Sequence, residues 1–480
     1  MKKIGILLLI LCNLVCSIPV LTIAAELQAT TVSTESVETV PQESSAIASG
    51  SFSLDALNPL LGSDKLVDNV RSAVVYEANS QTLMYAWNPD TQMYPASFVK
   101  ILTALLAIEK GTLSDVVTVS QAAINSVPLD AVSAKLSAGE MLTLEELLYC
   151  LLLGSANDAA AVIAEHISGS QIAFVEEMNQ FLQNLGCTAT QFTNPHGLHD
   201  DNQHTTARDS AKILDAALRN PVFRTIFSAD TFTVKQTNLS PERILTNGNS
   251  MKDSSSQLYY DSRVIGGRTG VTQDGRRCLA AAAESNNMLV ISIVMGAESV
   301  YQEDGYSAIR IGGYKETTQL FDACLNGYKT AQILHAEQVL RQMPMNGASN
   351  DLLIGPQNHV ITVLPKDITI ADLNYRYDDK ALEVPISKGE HVSNLQIWYG
   401  SMCIAEAQLY AMNDVRSEEM NHTEKVGVSL PIIPVALLIV IGIVVLIAIM
   451  YLLLRFGNKI QLFAINIRKK HYRRSHKRER

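Results

Sequence analysis

Apolar and polar positions divide the 480-residue chain into blocks of different period. Residues 72–77 and 82–87 are strand-like, and Ala78-Asn79-Ser80-Gln81 between them predicts a hairpin. Asn88-Pro89-Asp90 closes it. Past Pro95, which sits where a helix is about to begin, the apolar residues from Ile101 recur at helical spacing. Thr143-Leu-Glu-Glu146 reads as a capping box ahead of residues 144–153, which are so apolar that the helix must be buried. The pattern breaks at Gly154-Ser155-Ala156-Asn157-Asp158 and resumes as a helix over 159–167. A polar knot between two buried helices must find hydrogen-bond partners or line a cleft. Further helices are predicted over 173–185 and 207–218.

The second half switches to period two. Strand patterns at 264–276, 278–283 and 288–296, with Asn286-Asn287 as the turn, predict the body of an antiparallel sheet. A long helix over 314–334 would pack back on it. Strands, helices, strands and helix in that order argue an α/β-type sandwich with helices inserted between sheet segments. From Met343 the character changes. Short alternating runs at 360–364, 368–370, 382–386 and 394–399 predict a small β domain spanning 343–412.

The two ends carry topology. Met1-Lys2-Lys3, an apolar run and small residues at Ala24-Ala25 predict a signal peptide over 1–25. Residues 26–52 are Ser/Thr-rich without apolar period, a flexible spacer before a main domain over 53–338. Past a linker over 413–430, residues 432–454 carry no charge, enough to span about 30 Å of hydrocarbon. The tail 455–480 holds ten Lys/Arg against one Asp/Glu. By the positive-inside rule that tail is cytoplasmic and the main domain extracytoplasmic, giving a single-pass protein of the cell membrane. The basic tail fits an anionic inner leaflet.

Charge then narrows the partners. The chain carries a net −10, so everything before the tail carries about −19, which speaks against nucleic acid. Cys150, Cys187, Cys278, Cys324 and Cys403, those left after signal removal, are odd in number and scattered. They form neither a disulfide framework nor zinc spacing and read as buried small apolar residues. His196, His199 and His204 cluster, but no H-E-x-x-H accompanies them, so no metal is assigned. Tyr259 and Tyr260 are candidates for the rim of a cleft.

Three short motifs occur in order: Ser97-x-x-Lys100, Ser155-x-Asn157 and Arg268-Thr269-Gly270. Ser97 and Lys100, three apart, share one helix face. A serine needs a base, and a lysine held dry beside other cations can lose its proton and serve as one. The bland alternatives are a Ser97 helix cap with a solvated lysine, and Ser155 or Asn157 as helix caps.

With the three motifs together, the chain resembles the serine D-alanyl-D-alanine carboxypeptidases, the low-molecular-mass penicillin-binding proteins, whose S-x-x-K, S-x-N and K-T-G share one site. The resemblance covers roughly residues 55–412 and takes in Asn194-Pro-His-Gly-Leu198 with His204-Thr-Thr-Ala-Arg-Asp209. It implies an α/β (α+β) serine β-lactamase/penicillin-binding-protein-like catalytic domain, a small all-β C-terminal domain and one transmembrane helix, with no cofactor. By that resemblance, Ser97 forms an acyl-enzyme, Lys100 is the general base, Ser155 relays a proton, and Asn157 holds Lys100 or the substrate amide. The backbone N–H groups of Ser97 and Val271 form the oxyanion hole. Arg268, Thr269 and Gly270 bind the terminal carboxylate, the partners being peptidoglycan stem peptides and β-lactam inhibitors. Arg268 stands where the family usually has lysine. It keeps the charge but is bulkier and not interchangeable with lysine. That leaves open a catalytically impaired binder of penicillin or wall peptide; a β-lactamase is the remaining alternative.

Overall fold

The computed structural model describes residues 59–62, 64–303, 308–417 and 442–451. The N-terminal part of the described chain is built on a five-stranded antiparallel sheet. Its spatial order is Thr82–Trp87, Ser72–Glu77, Met288–Ala297, Arg277–Ser285 and Val264–Val271. The predicted hairpin pairs as foreseen, and Asn286 and Asn287 both take positive φ in the turn joining Arg277–Ser285 to Met288–Ala297.

Period two decides what each face covers. Val74, Tyr76, Ala280, Ala282, Ile291 and Ile293 point into a core shared with the helices inserted between the strands. Ala73, Val75, Ala281, Ala283 and Val290 point the other way, onto Leu320, Phe321 and Cys324 of the helix Tyr314–Gly327. The central strand Met288–Ala297 is buried at every residue, as a strand covered on both faces must be.

The inserted helices match their patterns closely: Val99–Lys110, Leu144–Leu152, Asn157–Ser168, Gln171–Asn184 and Ala207–Leu218. The capping box is present. Thr143 Oγ1 accepts from Glu146 N at 3.2 Å, and Glu146 Oε2 accepts from Thr143 N at 2.9 Å. Cys150, Cys187, Cys278 and Cys324 are buried free thiols, and Cys403 is half-buried.

Three expectations are corrected. The helix foreseen over 314–334 ends at Gly327, and Tyr328–Leu334 is a strand paired with Val360–Pro365. Its β-branched and aromatic residues favour that pairing once Gly327 ends the helix. Residues 368–370 form no strand. Thr369 and Asp372 cap a 3-10 turn instead, their side chains competing for the backbone groups that a ladder needs. Residues 382–386 contribute only a bridge between Ile386 and Val415, because Pro385 has no N–H to donate.

The small β domain therefore has a five-stranded sheet ordered Arg341–Met343, Leu352–Gly355, Met402–Ala411, His391–Tyr399 and Asn374–Asp379. Leu352, Ile354, Leu395, Ile397 and Leu409 form its core together with Ile333 and Leu334 of the Tyr328–Leu334 strand. Of the span foreseen to cross a membrane, residues 442–451 are helical. Among the described residues no helix is long and apolar enough for that task. The predicted signal peptide and spacer, the rest of the foreseen span and the basic tail lie outside the described residues.

Thr143→Ala removes one capping acceptor at the head of a buried helix. It should cost about 1 kcal/mol, lowering Tm by roughly 2–4 °C, as read by thermal denaturation.

Candidate active site

Ser97 lies in a 3-10 turn, Ala96–Phe98, that runs directly into the helix Val99–Lys110. Neither element has a side-chain cap, so Ser97 is not a capping residue. Lys100, one turn on, is 1 % exposed. Its Nζ lies 3.4 Å from Ser97 Oγ, 2.7 Å from Asn157 Oδ1 and 2.5 Å from the His196 carbonyl. The solvated-lysine reading is excluded.

The second motif comes from the break between two buried helices. Ser155 takes a left-handed φ of 57°, and Asn157 is the first residue of its helix rather than part of the break. That helix has Ala156 at its N-cap with no side-chain cap, so Ser155 and Asn157 are free for other partners. The Asn157 amide is fixed at both ends: Oδ1 accepts from Lys100, and Nδ2 donates to the Val132 carbonyl at 2.8 Å.

The third motif is on the edge strand Val264–Val271, whose residues alternate inward and outward. Gly266, Arg268 and Gly270 point inward. A Cβ at 270 would stand 2.9 Å from Ala96 Cβ and 3.1 Å from Ser97 N, so only glycine lets the strand lie against the Ser97 turn. Between the glycines, Arg268 enters the interior at 4 % exposure. Nη1 donates to the Leu152 carbonyl at 2.9 Å, Nη2 donates to Ser155 Oγ, and Nε reaches the Ser97 carbonyl at 3.4 Å. Thr269 is half-buried and Val271 is exposed. The fold thus brings all three motifs together.

The loop 194–204 supplies what the motifs lacked. His196 is buried and acts through its backbone carbonyl, while its ring Nδ1 accepts from Leu198 N at 3.2 Å. Thr103, fully buried, donates Oγ1 to the Pro195 carbonyl at 2.7 Å. Ser97, Lys100 and Thr103 form one stripe at three-residue spacing. Thr103 was visible as a lone polar position in an apolar helix, whereas the carbonyls of His196 and Val132 leave no mark in a sequence. His199 pairs with Asp201 instead of joining a metal cluster, and among the described residues no group of His, Cys, Asp and Glu could hold a metal. Tyr259 does not rim the site. It packs on Tyr314 against the core beneath the Tyr314–Gly327 helix, and its hydroxyl accepts from Ile311 N at 2.8 Å.

Burial, first, and the Arg268 guanidinium, second, hold the Lys100 amine well below the usual lysine range, while Asp158 pulls the other way. Burial also lowers Arg268 to about 10, which leaves it charged at neutral pH. Of the two buried cations, the amine is the one able to give up its proton. A neutral amine has two N–H donors and one lone pair. Asn157 Oδ1 and the His196 carbonyl take the donors, so the lone pair is left for the Ser97 hydroxyl.

A serine whose hydroxyl faces a sealed amine, beside an inward cation on the edge strand of this sheet, defines an α/β catalytic domain of the penicillin-binding type. Residues 65–299 match the family model described as D-alanyl-D-alanine carboxypeptidase, and residues 328–417 match the C-terminal domain of penicillin-binding protein 5. A D-alanyl-D-alanine carboxypeptidase, DacA, of Haemophilus influenzae is 31 % identical over 386 residues, covering 78 % of this chain and 92 % of that protein. DacF of Bacillus subtilis is 26 % identical, covering 73 % and 87 %. The crystal structure of penicillin-binding protein 5 from Haemophilus influenzae superposes with a TM-score of 0.62 at 29 % identity, covering 73 % of this chain and 98 % of that one. The chain belongs to the D-alanyl-D-alanine carboxypeptidase family.

Two outcomes test the loop against the Ser97 turn. At Gly197, φ is +81° and a Cβ would stand 1.9 Å from the Ala96 carbonyl. Gly197→Ala should therefore displace the turn and abolish labelling of Ser97 by a fluorescent penicillin, the loss being read on gels of the folded variant. Burial, with the Lys100 charge second, lowers the His196 imidazole from 6.5 to about 3. Below pH 6.5 the unfolded chain takes up a proton that the native chain refuses until about pH 3. Stability should fall across that window with a slope of up to about 1.4 kcal/mol per pH unit from this group. His196→Gln should flatten that slope in denaturation curves measured against pH.

Proposed function

We propose that the chain is an exported, membrane-anchored serine carboxypeptidase that removes the terminal D-alanine from peptidoglycan pentapeptide stems and is blocked by β-lactams. One observation carries this reading: a serine hydroxyl 3.4 Å from an amine sealed in the fold and held below its usual range. Ser97 Oγ attacks the carbonyl of the penultimate D-alanine while its proton passes to Lys100 Nζ. The backbone N–H groups of Ser97 and Val271 receive the developing oxyanion; one such donor is typically worth about 3 kcal/mol. A proton returns by way of Ser155 to the leaving nitrogen as the C–N bond breaks. Water, deprotonated by the same base, cleaves the ester and restores Ser97. Arg268 and Thr269 bind the terminal carboxylate, with Gly270 giving the substrate strand room. A β-lactam forms the same acyl bond, but its tethered leaving group stays in the site. The predicted signal peptide and the apolar span 432–454 support export and anchoring at the cell membrane.

A second reading has its own observation. The Arg268 guanidinium is already engaged by Ser155 and Leu152, which favours a chain that binds wall peptides or penicillin and turns over poorly. The full-length chain in detergent separates the two. Release of D-alanine from a pentapeptide, lost in Ser97→Ala together with penicillin labelling, is the outcome expected of the carboxypeptidase. Labelling without release identifies the binder.

The pH dependence follows from the charges. Lys100 works as a base only when neutral, so kcat/KM should fall on acidification through its lowered pKa. Arg268→Gln removes a cation that disfavours the Lys100 charge, so the acid limb should move to higher pH. It should also raise KM for the peptide by roughly 10–150-fold, the value of a charged hydrogen bond. Arg268→Lys keeps the charge and should leave the limb in place, which pH–rate profiles of the three proteins decide.

A further inference from the structure

The Asn157 amide has an acceptor end and a donor end, and only the acceptor end suits a lysine amine. Turned over, it would present N–H groups to the donors of Lys100 and leave the base without its partner. Its orientation is set by one atom. The Val132 carbonyl accepts both Asn157 N, at 2.9 Å, and Asn157 Nδ2, at 2.8 Å. Yet Val132 lies in a stretch without regular structure, its own side chain is exposed, and Lys135 nearby has a strained φ of 56°. Something else must hold that stretch.

Asp158 does so. Its carboxylate is 4 % exposed, with Oδ1 accepting from Ala134 N at 2.9 Å and Oδ2 accepting from Leu136 N at 3.0 Å. The two donors bracket Lys135. Oδ1 also accepts from Ala159 N at 2.9 Å, in the first turn of the Asn157–Ser168 helix. The helix that carries Asn157 thus holds, through its next residue, the loop that aims Asn157.

We propose that Asp158 is a positioning residue for catalysis: it fixes the 132–136 loop so that the Val132 carbonyl turns Asn157 Oδ1 toward Lys100. This rests on the reading of Ser97 as the acylated serine and Lys100 as its base. Asp158 has a second effect on the same amine. The charged and titratable groups facing Lys100 are Arg268 from the edge strand, His196 from the 194–204 loop and Asp158 from the helix; Asp158 alone is anionic and favours the charged amine. A carboxylate that merely stabilised the helix terminus would act on the Lys100 titration through its charge but would leave the orientation of Asn157 untouched.

The test uses the full-length chain and two readouts, the rate of acylation by a fluorescent penicillin against pH and D-alanine release from a pentapeptide. Asp158→Asn keeps the shape but sets an N–H against a donor and removes the charge. Acylation should slow by about 10–100-fold, the usual effect of a misplaced catalytic group, with KM for the pentapeptide nearly unchanged. Its acid limb should move to lower pH. In an Asn157→Ala background, adding Asp158→Asn should slow acylation by less than about twofold, since the pair acts as one unit. Effects that multiply across that cycle, or unchanged acylation in folded Asp158→Asn, overturn the proposal. Should Asp158→Asn not fold, Asp158→Glu replaces it: slower acylation with an unmoved acid limb supports the proposal, and wild-type acylation overturns it. A wild-type chain that acylates but releases no D-alanine overturns the carboxypeptidase reading and leaves the role of Asp158 standing.

Discussion

An amine sealed from water needs a partner for every hydrogen it keeps, and Lys100 has two acceptors at short range, Asn157 Oδ1 and the His196 carbonyl. Those two come from sequence positions 57 and 96 residues away. The polar knot between the buried helices and the loop after residue 193 must therefore both close on the Ser97 helix before the amine is satisfied. Much of the catalytic half can be read as the scaffolding of that closure. Thr103 clamps Pro195, Asn194 Oδ1 accepts from Gly197 N at 2.7 Å, and Gly197 admits the Ala96 carbonyl. A charged ammonium would carry a third hydrogen and sit beside the buried guanidinium of Arg268. The same burial that makes the site costly to assemble is what keeps its lysine neutral and able to accept a proton.

How far the chain could be read without coordinates depended on whether a feature lives in side-chain pattern or in backbone. Ser97 and Lys100 share a face because one helical turn, here a 3-10 turn running into an α-helix, brings residues three apart together, and that was legible from spacing alone. The capping box at Thr143 and the Asn286-Asn287 turn were legible because each needs particular side chains. Val132 and His196 act through carbonyl groups that every residue possesses, so no residue type announced them. Asp158 was visible only as part of a polar knot; its partners, Ala134 N and Leu136 N, are again backbone. The misread segments share another cause. In Tyr328–Leu334 the apolar residues also fit a helical period, and only pairing with Val360–Pro365 decides for strand. At 382–386 the alternation was present, but Pro385 withholds the donor that alternation presupposes.

Arg268 is where charge, shape and sequence meet most tightly. A lysine at that place would offer a point charge on a flexible stem, free to turn toward whatever anion arrives. The guanidinium is planar and its donors leave in fixed directions. Here those directions already serve Leu152, Ser155 and the Ser97 carbonyl. The strand accommodates the larger group because its inward neighbours are Gly266 and Gly270, and Phe227 and the Ser97 turn fill the space on either side. In the proposed reaction a substrate carboxylate must compete for donors that the fold has engaged, whereas the fixed charge acts on Lys100 whether or not substrate is bound. Arginine at 268 thus separates two duties that a lysine combines: holding the neighbouring amine neutral, which needs only charge, and seizing the carboxylate, which needs a free donor.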